Sequence, residues 1–157
     1  MKKIRTLVVD NETLVRDGIV TMLTVQPDIE VIGEAVDGLE AVQLAQKTKP
    51  DVVLLDLAMP KQDGLTTIPI LKEMSPDIKI LVLTSFDESD RVYQAIKSGA
   101  LGYLLKDSTR VQLLQAVRDV AEGKASIQPS IAMKVIQEIE HPSHKAYTAD
   151  PLTPREL

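Results

Sequence analysis

Residues 51–64, DVVLLDLAMPKQDG, decide the fold. An apolar run, Val52 to Leu55, rises out of Asp51 and ends on a single carboxylate, Asp56. Met59-Pro60 and Asp63-Gly64 then force the chain to turn. A short run that is apolar at every position and bounded by turn residues is the pattern of a strand buried on both faces. An acid at the carboxyl end of such a strand is a structural cap, a metal ligand or a nucleophile. The rest of the chain has to decide which.

Outward from this stretch, short apolar runs alternate with helix-period segments. The strands are IRTLVVD (4–10), EVIGEA (30–35), DVVLLD (51–56), KILVLTS (79–85) and LGYLLKD (101–107). The first helix, TLVRDGIVTMLTVQ (13–26), sets Leu14, Val15, Ile19, Met22 and Leu23 on one face. GLEAVQLAQK (38–47) is closed by Lys49-Pro50, and GLTTIPILKEM (64–74) is a helix that Pro69 disfavours. DRVYQAIKSG (90–99) stops at Gly99. TRVQLLQAVRDVAEG (109–123) turns Leu113, Leu114, Val117, Val120 and Ala121 inward. Five strands alternating with five helices predict an α/β, doubly wound, five-stranded parallel sheet with helices on both faces. Ligands of such sheets sit beyond the carboxyl ends of the strands, where strand order reverses.

Composition narrows the chemistry. The 157 residues suffice for one domain with a real core plus a tail. The formal net charge of -5 makes the chain a poor candidate for gripping a phosphate backbone by itself. With no cysteine there is no disulfide framework, thiolate zinc site or thiol nucleophile. The apolar run in MKKIRTLVVDNE is too short for a signal peptide, and no stretch reaches membrane-spanning length. A cytoplasmic protein with no membrane partner is expected.

At the strand ends stand Asp10 with Asn11 and Glu12, then Asp56, then Thr84 with Ser85, then Lys106. Each alone would be a helix cap or a solvated loop residue. Together, two carboxylates and an ammonium suit a hard, oxygen-liking cation such as Mg2+. A phosphoryl group could shed charge onto that cation and Lys106 while Asp56 attacks it, forming an aspartyl phosphate.

At this point the chain resembles the receiver domains of bacterial two-component response regulators, over roughly residues 3–122. The resembling pieces are VVDNE, DVVLLDLAMPKQDG, VLTS and GYLLKD, in the family's order and spacing. The resemblance implies the flavodoxin-like strand order 2-1-3-4-5. It makes Asp56 the phosphorylated aspartate, Asp10 the first acid of the metal-binding pair and Lys106 the invariant lysine. Thr84 becomes the switch hydroxyl and Tyr103 the aromatic whose rotamer follows it. The backbone carbonyl of Ala58 becomes a metal ligand. Two positions depart from the family. Asn11 stands where the second acid belongs; its amide oxygen can still ligate Mg2+ but brings no charge, so weaker Mg2+ binding is expected. Glu12 is the neighbouring acid that could compensate, although side chains leaving a strand alternate in direction. Lys106 is followed by Asp107 where many receivers have proline, and a cis bond there would cost about 3 kcal/mol.

Beyond Gly123, Ile131, Val135, Ile136 and Ile139 form an apolar stripe at helical spacing. An extension helix over 123–140 is expected, either lying back on the domain or pairing with a second copy. HPSHKAYTADP reads as a linker over 141–152, with His141 and His144 solvated and not ligating. LTPREL offers Thr153 as N-cap, Pro154 at the first helical position and Glu156 at the third, a capping box of Thr153 with Glu156. It resembles the opening of the helix-turn-helix domain of NarL/LuxR-class regulators. Residues 153–157 would then begin a DNA-binding domain that is otherwise absent. The resemblance implies a transcription factor phosphorylated by a sensor histidine kinase, with homodimerisation a possible response. The alternatives are a receiver-like interaction module that is never phosphorylated, an aspartyl-phosphate hydrolase and a nucleotide or flavin binder. The hydrolase would need D-x-D after the first strand, where DNE stands. The nucleotide binder would need a glycine-rich phosphate loop, and none occurs.

Overall fold

The computed structural model describes residues 2–85 and 91–140. Its elements run β1 (Ile4–Val9), α1 (Thr13–Thr24), β2 (Ile29–Ala35), α2 (Gly38–Thr48), β3 (Val52–Asp56), α3 (Gly64–Met74) and β4 (Lys79–Thr84). They continue with α4 (Val92–Ser98), β5 (Gly102–Leu105), α5 (Arg110–Ala121), β6 (Ser126–Ile127) and α6 (Pro129–Glu140). All sheet pairings are parallel, in the order β2-β1-β3-β4-β5-β6. The order over the first five strands is the one expected. The count of five is corrected to six: β6 pairs through Gly102 with Ser126 and Tyr103 with Ile127. A two-residue strand has no period to read, and its pairing depends wholly on the free edge of β5.

β3 shows how the sequence divides between the faces. Val53 and Leu55 join the layer under α2, α3 and α4, with Ile68, Leu71, Val92 and Ala95. Val52 and Leu54 join the layer under α1 and α5, with Ile19, Leu23, Leu113, Val117 and Val120. All five β3 residues are buried, which is why the run carries no polar alternation. Leu14, expected on the inner face of α1, is 87% exposed. It sits in the first turn, at the sheet's carboxyl edge, where the strands have already ended.

Local chemistry sets the helix boundaries. Asp37 and Asp63 cap α2 and α3 by accepting the Glu40 and Thr66 N–H, each at 2.9 Å. Thr109 and Gln112 form a reciprocal capping box on α5. α3 runs through Pro69, whose ring lies on the exposed side, so the carbonyl it fails to satisfy is open to water.

The extension folds back on the domain. α6 packs against α4, with Ile131 buried and Val135 half-buried, while Ile136 and Ile139 stay exposed. The apolar stripe is therefore split between core and surface. The Gln128 side chain accepts the Leu105 N–H at 2.8 Å and donates to Ser108 Oγ at 2.9 Å. Residues 141–157, including His141, His144 and the expected capping box, lie outside the described residues. No described helix is long and apolar enough to cross a membrane.

Candidate functional site

Sheet register brings the site together. Val9 pairs with Leu55, so Asp10 and Asp56 leave β1 and β3 side by side. Thr84 pairs with Leu105, so Lys106 leaves β5 one position further along. Lys106 Nζ lies 3.2 Å from Asp56 Oδ2, 3.3 Å from Asp10 Oδ2 and 2.7 Å from Glu12 Oε1. The Asp10 and Asp56 side chains are almost fully buried. The loop after β3 is held tightly beneath them. Gly64 N donates to the Leu57 carbonyl at 3.0 Å, and a Cβ on Gly64 would meet the Asp56 carbonyl at 2.6 Å. Only glycine fits there without moving the backbone that carries Asp56.

Burial and the Asp10 charge push the Asp56 carboxyl up to about 6, against the pull of Lys106 and the Ala58 N–H. Asp56 is thus mainly ionised at neutral pH and protonates in mild acid. Burial alone would lower the Lys106 ammonium, but its hydrogen bond to Glu12 and the Asp56 and Asp10 charges outweigh this and raise it. Lys106 is therefore a permanent cation shared among three acids. Ala58 N donates to Asp56 Oδ1 at 3.2 Å, and Glu12 N to Asp10 Oδ1 at 2.8 Å. Asp10 Oδ2 is buried and accepts no hydrogen bond, although it touches the ammonium. Such an atom fits a hard cation, and carboxylates of Asp10, Glu12 and Asp56 offer oxygens all within 4.8 Å of one another.

The other expected residues fall in different places. The Asn11 amide faces two acceptors, so its nitrogen is the group turned toward them. It lies 3.3 Å from Asp56 Oδ2 and 3.2 Å from the Ala58 carbonyl. The Thr84 hydroxyl donates to the Ser85 carbonyl at 3.1 Å. The Tyr103 hydroxyl donates to the Ala100 carbonyl at 2.7 Å from within the core, and burial holds its phenol well above the usual range. The Lys106–Asp107 peptide is not cis. Glu12 is the residue that strand alternation misplaced. β1 ends at Val9, and Glu12 is the N-cap of α1 with φ -89° and ψ 111°, so alternation no longer governs its direction.

The family description of the response regulator receiver domain matches residues 6–118. The chain belongs to the response regulator receiver family. Among its relatives is the transcriptional regulatory protein LiaR of Bacillus subtilis, 45% identical over 98% of this chain and 73% of that protein. The response regulator VraR of Staphylococcus aureus is 37% identical over 98% of this chain and 72% of its own length. The signal receiver domain of NarL from Mycobacterium tuberculosis superposes with a TM-score of 0.75 at 40% identity. It covers 79% of this chain and 100% of that one. A LuxR-family response regulator from Aurantimonas gives a TM-score of 0.81 at 29% identity, over 89% of this chain and 100% of that one. Receivers of this NarL/LuxR class are phosphorylated on an aspartate and control DNA-binding output domains.

Proposed function

We propose that Asp56 is the phosphoryl acceptor of this receiver. One observation carries the reading: Asp56 Oδ2 lies 3.2 Å from Lys106 Nζ, on a buried carboxylate beside that of Asp10 at the strand ends. An ionised Asp56 oxygen attacks the phosphorus of the donor, the bond from phosphorus to the leaving group breaks, and its electron pair departs with that group. The Lys106 ammonium, already fixed by three acids, stands ready to pair with a phosphoryl oxygen without reorganising. The Ala58 N–H on Asp56 Oδ1 orients the carboxylate. Asp10, Asp56 and the Ala58 carbonyl are the residues to hold Mg2+, which when bound neutralises charge on the transferring phosphoryl group. In this reading Thr84 and Tyr103 report the modification to the α4–β5 side of the domain. The donor is a sensor histidine kinase, as for response regulators of this kind. DNA is reached through an output domain of the kind these regulators carry, and a homodimer is the responding assembly. The assignment fits a switch, not an enzyme with its own substrate.

The test is acetyl phosphate with Mg2+ followed by intact mass. The wild type should gain the mass of one phosphoryl group, and Asp56→Asn should gain none while keeping its far-UV circular dichroism. Undiminished labelling of the variant would place the acceptor elsewhere.

A further inference from the structure

The receiver family resemblance assigns the second metal-binding acid to position 11, and this chain has an amide there. We infer that Glu12 supplies the missing carboxylate of the cation site, and that the Asn11 amide is a placeholder that any cation must displace from Asp56 and the Ala58 carbonyl. The inference rests on the reading of this pocket as the phosphorylation site and deepens it.

Four observations carry it. Glu12 occupies the N-cap of α1 but its side chain makes no capping hydrogen bond. An acid at a helix N-terminus ordinarily turns to the free amides there, and this one turns to Lys106, 2.7 Å away. Its backbone is tied to the pocket by the 2.8 Å bond from Glu12 N to Asp10 Oδ1. Its carboxylate closes a ring of oxygens with Asp10 and Asp56, in which the buried Asp10 Oδ2 accepts no hydrogen bond. Three acids against one ammonium leave a negative balance of the size a divalent cation removes.

Asn11 explains how the pocket stands without a cation. Its amide nitrogen donates toward Asp56 Oδ2 and the Ala58 carbonyl, at 3.3 and 3.2 Å. Those are two of the oxygens that the family pattern gives to the metal. An N–H2 group pointing at them cannot ligate, because a cation needs a lone pair. The amide must turn its oxygen inward or swing aside for the cation to enter. An aspartate at this position would repel Asp56 in the free protein, whereas the amide hydrogen-bonds to it. Glu12 is more than half exposed, at the mouth of the pocket, which suits the water-rich sphere that Mg2+ retains.

The probe is Mg2+ alone, titrated calorimetrically into the phosphoryl-free protein. Glu12→Gln should weaken binding at least fivefold, Asn11→Asp should tighten it, and the double variant should return close to wild type. An affinity within twofold of wild type for Glu12→Gln would make Glu12 a surface partner of Lys106 only, and would overturn the inference. A measurement on the unaltered protein guards against a variant that misfolds. The Asn11 side-chain amide resonances in a 15N-correlated NMR spectrum should move on adding Mg2+ and not on adding the same ionic strength of NaCl. Unmoved resonances in a saturated protein would remove the placeholder. No phosphodonor is present in either experiment, so their failure leaves the labelling of Asp56 to be judged separately.

Discussion

Asp28 and Asp56 each face a basic side chain from much later in the chain, and the two pairs behave in opposite ways. Asp28 lies just before β2 and receives Arg118 of α5 in a fork, Nε to Oδ2 at 2.8 Å and Nη2 to Oδ1 at 3.0 Å. The same guanidinium reaches Gln26 at 3.0 Å. The Arg118 hydrogen bonds hold the Asp28 carboxyl below its ordinary value. At Asp56 the first influence is burial, the second is a like charge on Asp10, and the carboxyl is pushed up. The first pair is a finished contact in which each carboxylate oxygen accepts a guanidinium N–H. The second is left with excess negative charge from Asp10 beside it, whose buried Oδ2 accepts no hydrogen bond among the described residues. A fold that can place two donors squarely on Asp28 has the means to do so at Asp56. The difference accords with the proposal that Asp56 receives a group from outside.

The largest effect that tests this contrast is on stability against pH. Asp56 ionises near its ordinary 3.8 when unfolded and at about 6 when folded, so the folded state holds the proton more tightly between these values. The contribution of Asp56 to metal-free stability is then full below pH 4, falls as pH rises through 6, and stays lost above it. That loss amounts to about 3 kcal/mol. Asp56→Asn removes it, and the variant should melt several degrees above wild type at pH 7.5 without Mg2+, with the gap closing toward pH 4. Equal melting temperatures at pH 7.5 would mean the pocket is not strained. Next in size is Arg118→Ala, which should cost about 1 kcal/mol, or a few degrees in thermal melts at neutral pH. Asp28 has the opposite sign: its stabilisation is present above its unfolded value and disappears as pH falls through the lower folded one. The penalty for losing Arg118 should therefore shrink in acid, where that for ionised Asp56 also vanishes. The smallest effect is salt. Raising NaCl toward 1 M should trim the Arg118→Ala penalty by a few tenths of a kcal/mol, since that pair is about a third exposed. The Asp56→Asn gain should change less, because little solvent lies between the buried Asp56 and Asp10 charges to screen them.

The sequence was readable where one residue's environment follows from its neighbours along the chain. The all-apolar DVVLLD run could only be a strand covered on both faces, and the acids and lysine at strand ends then had to converge. Asp10, Asp56 and Lys106 were legible for that reason. What stayed hidden depends on partners far away in sequence. β6 exists because β5 would otherwise have a bare edge. Leu14 is exposed because α1 begins past the end of the strand beneath it. Glu12 belongs to the pocket because β1 stops at Val9, three residues before it, and the rule of alternating side chains stops there too. Pro69 is harmless because it faces water, a fact of tertiary placement that its helical context could not supply.

The two-residue strand β6 also bears on how the molecule keeps apart from its own copies. A sheet has two open rims, and each is a row of unpaired amides and carbonyls on which another chain can crystallise strand by strand. On one rim, β2 offers exposed Glu30 and a slipped register opposite Thr6 and Leu7, so an incoming strand meets a charge and a broken ladder. On the other, β6 is too short to template anything, and Gln128 beyond it takes the Leu105 amide with its side chain. A chain ended before Ser126 should leave β5 bare and scatter light on concentration, where the longer chain stays clear.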